Sequence, residues 1–369
     1  MRIALDARKL FDGGIGTYIR GLLGGLAAAF PHDEWTALVE PAHRGRMRWP
    51  GDVHEVAVHA GKYGLAEHWR VPAAARAAGA TLLHAPHFTL PLGWSGPAVV
   101  TIHDLIHVRL AHLQRPGVAL AARALATLAA HRAEIVIADS EATRRDILDL
   151  LHVRPEKVHV VHLGLSSALR PVTPVEVEVF RGERALPRDP VLYVGARKRH
   201  KNLELLLKAW SVMRPDARPP LVLSGRRWAA TDALARRAHA LGVTSSVHFA
   251  GDLPDERALA CLYSSARLVV QPSLLEGFGL PPLEAMACGV PVLASDAGSL
   301  PEVLGDAAVL VSPHDVEAWA HEVPRLLGDE ALRATLIARG HARVERYTWA
   351  RTAQRTRELY AMAVAARRR

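Results

Sequence analysis

Short apolar runs of strand length, rich in Val, Ile, Leu and Ala, alternate with longer helix-like segments along nearly the whole chain, and the series breaks once and restarts. Strands separated in this way by helices build a parallel sheet covered on both faces. The first series comprises Arg2 to Leu5, Thr36 to Val39, Thr81 to His84, Ala98 to Ile102 and Ile135 to Ala138. The break is Leu169 to Pro190, which holds Pro171, Pro174, Pro187 and Pro190 among mixed charges. The second series is Val191 to Val194, Leu221 to Ser224, Val247 to Ala250, Leu268 to Gln271, Val290 to Ala294 and Ala308 to Val311. With 369 residues, the chain is too long for one core of ordinary size. The pattern predicts an α/β protein of two doubly wound domains, 1–172 and 173–350, with a C-terminal helix at 351–369.

Composition narrows the class. Half the residues are hydrophobic, too many for a disordered chain. Asp6 and Arg8 interrupt the apolar start, so no export signal is expected and the protein is read as cytoplasmic. The longest apolar helical stretch, Val118 to Ala130, is Ala-rich, carries Arg123 and falls short of the roughly 20 residues needed to span a bilayer. It reads as a packed helix. Cys261 and Cys288 match neither a metal-ligand spacing nor a disulfide framework and are expected as buried thiols.

Lys and Arg number 46 against 37 Asp and Glu, with a sequence pI near 10. Anions are therefore the expected partners: phosphorylated small molecules, an acidic membrane face to which the protein associates peripherally, or nucleic acid. An aromatic content of 5% and the absence of a nucleic-acid motif argue against the last. The pairs Arg226 with Arg227 and Arg236 with Arg237, and the run Arg367 to Arg369, read as solvated basic faces.

The chemistry concentrates in Pro272 to Pro291, PSLLEGFGLPPLEAMACGVP, directly after a strand. Gly277 and Gly279 permit a close approach of backbone N–H groups to a ligand, and Pro281 and Pro282 suit the first turn of a helix whose N-terminus favours phosphate. Glu276 stands in the loop and Glu284 inside the helix, where a carboxylate can accept two directed hydrogen bonds from sugar hydroxyls. Tyr193 to Leu203, YVGARKRHKNL, is a strand, a turn at Gly195 and a basic cluster running into a helix, which suits a diphosphate. In the first half, DGGIGTY places Gly14 and Gly16 before a helix, VVTIHDL puts His103 and Asp104 after a buried strand, and ADSEATRRD offers Ser140 as a helix N-cap. His84 with His87, and His103 with His107, have pair spacings but no third ligand, so no metal site and no cofactor are expected.

The EGFGLP segment with its Glu, seven residues, Glu arrangement resembles retaining glycosyltransferases of family 4, which have the GT-B fold of two Rossmann-like domains facing each other across a deep cleft. The resemblance implies a nucleotide-diphosphate sugar as donor, bound by the Rossmann-like domain 173–350, and a hydroxyl-bearing acceptor, a glycan, lipid-linked sugar or small natural product, bound by the Rossmann-like domain 1–172, with helix 351–369 crossing back to the N-terminal domain. It assigns Glu276 to hydroxyls of the transferred sugar, backbone N–H groups around Phe278, Gly279 and Leu280 to the donor, and Glu284 to the ribose. It gives the diphosphate to an Arg and a Lys without a metal. Lys201 matches the Lys; Ala196 stands where many relatives carry the Arg, leaving Arg197, Lys198 or Arg199, of which Arg197 is the working choice. Gly14 and Gly16 would face the donor phosphates, His103 the transferred sugar, Asp104 would orient His103 or contact acceptor, and Ser140 would lie nearby. DARKLFDGGIGTYIRGLL together with VVTIHDLI is similar to the branch associated with mannosyl transfer from GDP-mannose. The alternatives are a GT-B epimerase or phosphorylase, or a non-catalytic basic binder of nucleotides or nucleic acid.

Overall fold

The computed structural model describes residues 1–225 and 233–367. Arg226, Arg227, Arg368 and Arg369, part of the expected basic faces, lie outside them. The chain forms two compact units, one from Met1–Gly164 with Tyr347–Arg369 and one from Leu165–Arg346.

The first unit holds a seven-stranded parallel sheet of β1 (Arg2–Asp6), β2 (Glu34–Val39), β3 (His54–Ala57), β4 (Leu82–Ala85), β5 (Ala98–Ile102), β6 (Ile135–Ala138) and β7 (Val158–Val160), in the order β3-β2-β1-β4-β5-β6-β7. The central strands are buried on both faces, which is why they read as unbroken apolar runs. Strands β3 and β7 escape the sequence reading because each lies at an edge, is short and carries His or Glu. The strand order reverses between β1 and β4, the switch point at which such sheets leave a crevice at their carboxyl ends.

Helix Trp349–Arg367 completes this unit by packing on helix Gly13–Ala29. A Cβ at Gly21 would overlap the Trp349 indole, and one at Gly25 would lie 2.9 Å from the Trp349 carbonyl oxygen, so the helices meet through glycine. Arg357 Nε donates to Asp33 at 2.6 Å and Arg367 to Glu134 at 3.0 Å. Helix Val118–Arg132 is packed, as expected, but only through Ala126, Ala129 and Ala130, while Leu120 is 74% exposed. Its alanines make a narrow stripe, and its leucines fall to either side.

The second unit has a six-stranded parallel sheet of β8 (Val191–Val194), β9 (Leu221–Ser224), β10 (Val247–Gly251), β11 (Leu268–Gln271), β12 (Val292–Ser295) and β13 (Val309–Val311), in the order β10-β9-β8-β11-β12-β13. Its switch point lies between β8 and β11. It begins at Leu165, earlier than the expected 173, because Ser166 Oγ donates to Glu256 at 2.6 Å and the Val172 N–H to Ser264 Oγ at 3.3 Å. The Pro-rich stretch expected as a boundary contains helix Pro174–Arg184, with Pro174 in its first turn and a reciprocal Thr173–Glu176 capping box. The return to the first unit falls at Tyr347, ahead of the expected 351. No helix among the described residues is long and apolar enough to cross a membrane.

Candidate active site

At the switch point of the second unit, the segment leaving β8 meets the segment leaving β11. Lys201 ends a short 3-10 turn, Arg199–Lys201, and Asn202, in a left-handed conformation, locks that turn by donating to the Pro272 and Pro313 carbonyls at 3.1 and 2.7 Å. The Leu274 N–H donates to His200 O at 2.8 Å. These bonds bring Lys201 Nζ to 2.7 and 2.8 Å from the two carboxylate oxygens of Glu276. Gln271 Nε2 donates to Glu276 Oε1 at 2.7 Å, as does Ser273 Oγ at 2.5 Å. Burial opposes the charge on Glu276, but the Lys201 ammonium and the bonds from Lys201 and Ser273 overcome it and hold the carboxyl below its ordinary value. Glu276 is thus a fixed anion. Lys201 has given two of its three N–H bonds to it and retains one for a ligand anion.

The loop after Glu276 is held from behind. Ser299 Oγ donates to the Glu276 and Phe278 carbonyls at 3.1 and 2.8 Å, and a Cβ at Gly298 would lie 2.6 Å from Glu276 O. Gly279 has φ +99° and a Cβ there would lie 2.7 Å from Leu300, so this position needs glycine on two counts. It caps helix Leu280–Ala287, and Pro281 and Pro282 leave its first turn with fewer N–H groups than an ordinary helix start. Inside the helix, Glu284 accepts a 2.8 Å bond from the Tyr263 hydroxyl. Burial pushes the Glu284 carboxyl up to about 7, against the opposing effect of that bond. Gly195 has φ +156° and a Cβ that would lie 2.6 Å from Tyr193 Oη. Arg197, two residues on, is exposed, as are Lys198 and Arg199, whereas Lys201 pairs with Glu276.

In the first unit, His103 follows β5 and is clamped between two acceptors: its Nδ1 lies 2.6 Å from Asp139 Oδ2, and its Nε2 lies 3.1 Å from Pro86 O. An acceptor at each ring nitrogen favours the imidazolium form. Burial lowers the His103 pKa, but the Asp139 charge and hydrogen bond outweigh it and leave it raised. The carboxylate that orients His103 is Asp139. Asp104, the expected candidate, instead accepts the Ile106 N–H at 3.0 Å, because its position next to a helix start favours local capping. Ser140 is the N-cap of helix Glu141–Leu151, accepting the Thr143 N–H at 3.0 Å.

Gly14 and Gly16 lie inside helix Gly13–Ala29 rather than in the loop before it. Gly16 is needed for packing, since a Cβ would lie 2.5 Å from Leu10 O. His84 belongs to a buried chain, with Nδ1 2.6 Å from Tyr360 Oη and Nε2 2.8 Å from Thr101 Oγ1, which in turn lies 2.9 Å from Tyr18 Oη. Among the described residues, no group of three or more His, Cys, Asp or Glu is placed to hold a metal. Both cysteines are buried free thiols.

Two family models match: "Glycosyltransferase Family 4" over residues 12–169 and "Glycosyl transferases group 1" over residues 178–343. The O-antigen chain mannosyltransferase B of Escherichia coli is 32% identical over 283 residues, covering 76% of this chain and 74% of that protein. The chain belongs to the family 4 glycosyltransferases. The fold agrees. Sucrose-phosphate synthase from Thermosynechococcus elongatus superimposes with a TM-score of 0.82 at 25% identity, covering 99% of this chain and all of that one. HepE of Anabaena, in complex with UDP and glucose, does so with a TM-score of 0.79 at 20% identity, covering 98% of this chain and all of that one. The two parallel sheets are those of the GT-B fold.

Of the residues singled out from the sequence, the structure brings Glu276 and Lys201 of this glycosyltransferase together, through residues that the sequence reading did not include. Gln271 and Ser273 precede Glu276 by five and three residues, and their polarity at the end of an apolar strand was the available signal. Ser299 and Gly298 come from a different loop, and Tyr263 from a different helix, and no local pattern ties them to the site.

Proposed function

We propose that this glycosyltransferase moves a mannosyl group from GDP-mannose to a hydroxyl of a glycan, lipid-linked sugar or small acceptor, with retention of anomeric configuration and without a metal ion. The observation that carries the donor site is the Lys201–Glu276 pair at the switch point of the second unit. Breaking the bond between the anomeric carbon and phosphate leaves an electron pair and charge on the departing diphosphate. Lys201 offers its third N–H to that charge, Arg197 adds a bidentate donor from the loop, and the backbone at Phe278, Gly279 and Leu280 adds neutral donors.

Glu276 holds sugar hydroxyls rather than attacking the anomeric carbon. Its oxygens already accept bonds from Lys201, Gln271 and Ser273, and its lowered pKa makes it a weak nucleophile, so no covalent glycosyl-enzyme is invoked. Glu284, backed by Tyr263, accepts from the ribose. His103 acts as a fixed cation toward the transferred sugar, not as a base, because its ring nitrogens are both engaged. The mannosyl and GDP assignments follow the resemblance of the N-terminal motifs and the named activity of the Escherichia coli relative.

The test is nucleoside-diphosphate release from GDP-, UDP- and ADP-sugars, with and without mixed sugar acceptors and with EDTA present. Release from GDP-mannose that rises with acceptor, survives EDTA and is lost in Glu276→Ala supports the reading. The anomeric coupling of the product reads retention directly. Preference for another nucleotide sugar would overturn the donor assignment, and an inverted product would overturn the stereochemistry.

A further inference from the structure

The two hydrogen bonds of His103 leave one of its motions unconstrained. Asp139 Oδ2 and Pro86 O meet the ring at roughly opposite ends of its plane. They set where the imidazole sits, but the ring can still tilt about the line that joins them. Asp139 does little to resist this, because its Oδ1 is buried without a hydrogen-bond partner among the described residues and its carboxylate is free to turn with the ring. A side chain held to the precision that catalysis needs has its rotamer locked by packing as well as by hydrogen bonds.

The packing comes from Tyr18. Its ring meets the His103 ring nearly at right angles, with centroids 4.8 Å apart and an interplanar angle of 79°, an edge-to-face pair. Tyr18 is fully buried, and its hydroxyl is pinned 2.9 Å from Thr101 Oγ1. Thr101 precedes His103 by two residues at the end of β5, so both side chains leave the same face of the strand. One strand thus carries the imidazole and the anchor of the ring packed against it.

Thr101 is ordered in turn by His84 on β4 and, through it, by Tyr360 on helix Trp349–Arg367. Burial lowers the His84 pKa to about 3 and the His103 charge adds to this, so His84 is neutral. A neutral imidazole has one donor nitrogen and one acceptor nitrogen. What Tyr360 offers at Nδ1 therefore decides what Nε2 offers to Thr101, and so which way the Thr101 and Tyr18 hydroxyls point. Thr101, His84 and Tyr360 are fully buried, as Tyr18 is, so a group that loses its partner here has no solvent to replace it.

We propose that Tyr360 is a positioning residue for His103: through His84 and Thr101 it orders the hydrogen bond that holds the Tyr18 ring, and that ring sets the tilt of the imidazole between Asp139 and Pro86. The proposal rests on the reading of His103 as the group that faces the transferred sugar. It makes the last helix of the chain part of that group's support.

The test is NMR of the His103 ring nitrogens across pH in the full chain without substrate, the signals being assigned by their loss in His103→Gln. Tyr360→Phe should move the titration midpoint down by about half a pH unit or more, because a ring free to tilt bonds Asp139 less well. Thr101→Val, which breaks the chain in its middle, should do the same, and Thr101→Ser, which keeps the hydroxyl, should restore the wild-type midpoint. The groups that bear on His103 are Asp139 after β6, Asp104 beside it, His84 on β4 and Tyr18 on helix Gly13–Ala29, and these variants alter the charge of none of them. In turnover of GDP-mannose, Tyr360→Phe should lower kcat by about fivefold, the scale of one neutral hydrogen bond, with the donor KM unchanged. Ala363→Gly, buried one turn further along the same helix, should lower the melting temperature without moving the His103 midpoint, which separates positioning from stability. An unmoved midpoint or an unchanged kcat in Tyr360→Phe, an equal shift in Ala363→Gly, or failure of Thr101→Ser to restore the midpoint would each overturn the proposal. Full turnover by His103→Gln would instead remove His103 from the transfer, and the ring nitrogens would still decide whether Tyr360 positions it.

Discussion

Replacing Glu284 by Gln should make the second unit more stable at pH 8 and leave it little changed at pH 5. The folded protein holds the Glu284 carboxyl at about 7, and the ordinary value is 4.5. Between these values the folded state keeps a proton that the unfolded chain has released, so stability falls as pH rises through this window and is level above it. The interval of about 2.5 pH units, at 1.36 kcal/mol each, corresponds to about 3 kcal/mol. For a unit of this size that is roughly 6–12 °C in melting temperature. Glutamine fills the same space, can still accept from Tyr263 and carries no titrating proton.

The assay is thermal unfolding of wild type and Glu284→Gln at pH 5, 6, 7 and 8, followed by donor titration at the same pH values. The difference in melting temperature should grow steadily from pH 5 to 8. Donor affinity should rise with pH in the wild type, because the ionised carboxylate is the better acceptor for ribose hydroxyls, and should be flat in the variant. A nucleotide sugar is the right probe, since its diphosphate diester has no proton that titrates in this range. Parallel melting profiles for the two proteins would refute the reasoning, because Glu284 would then ionise normally.

Three further outcomes are expected. Glu276→Ala should lower turnover by about 10²–10³-fold with the circular dichroism spectrum retained, and full activity would remove it from the site. Lys201→Met should destabilise the second unit by about 3–5 kcal/mol in urea unfolding, because Glu276 is left as an unpaired buried charge, and adding Glu276→Gln should restore part of that loss. Asp139→Asn should lower the His103 titration, followed by NMR of the ring, from its raised wild-type position, since burial then acts without its main counter-charge. The same substitution should remove the stability that wild type gains from His103, which is full below pH 6.5 and lost as pH rises through the raised folded value.

The central strands were legible because buried parallel strands leave continuous apolar runs, as in AVVTI and LVVQ, whereas the strand order that sets the switch points was not. The edge strands His54–Ala57 and Val158–Val160 were not, since a partly exposed strand of three or four mixed residues has no periodicity to detect. Helix Pro174–Arg184 could have been read from TPVE, a capping box with proline in the first turn, but the prolines around it suggested a linker. At the site, Glu276 and Glu284 were legible because glycines and prolines punctuate their segment. Asp139 was not: it stands one residue before an N-cap, and its link to His103 spans 36 positions between neighbouring strands.

The placement of helix Trp349–Arg367 in the first unit has a consequence during synthesis. The glycine face of helix Gly13–Ala29 and the polar chain ending at His84 both await residues made after the entire second unit. At ~5–20 residues per second, the second unit takes on the order of 10–40 s to emerge. For that time the ribosome-bound first unit exposes the groove that Trp349 will fill and leaves His84 without Tyr360. The half of the protein that is translated first is therefore the half whose core closes last, and the nascent chain has an interval in which chaperones and proteases meet an unfinished surface.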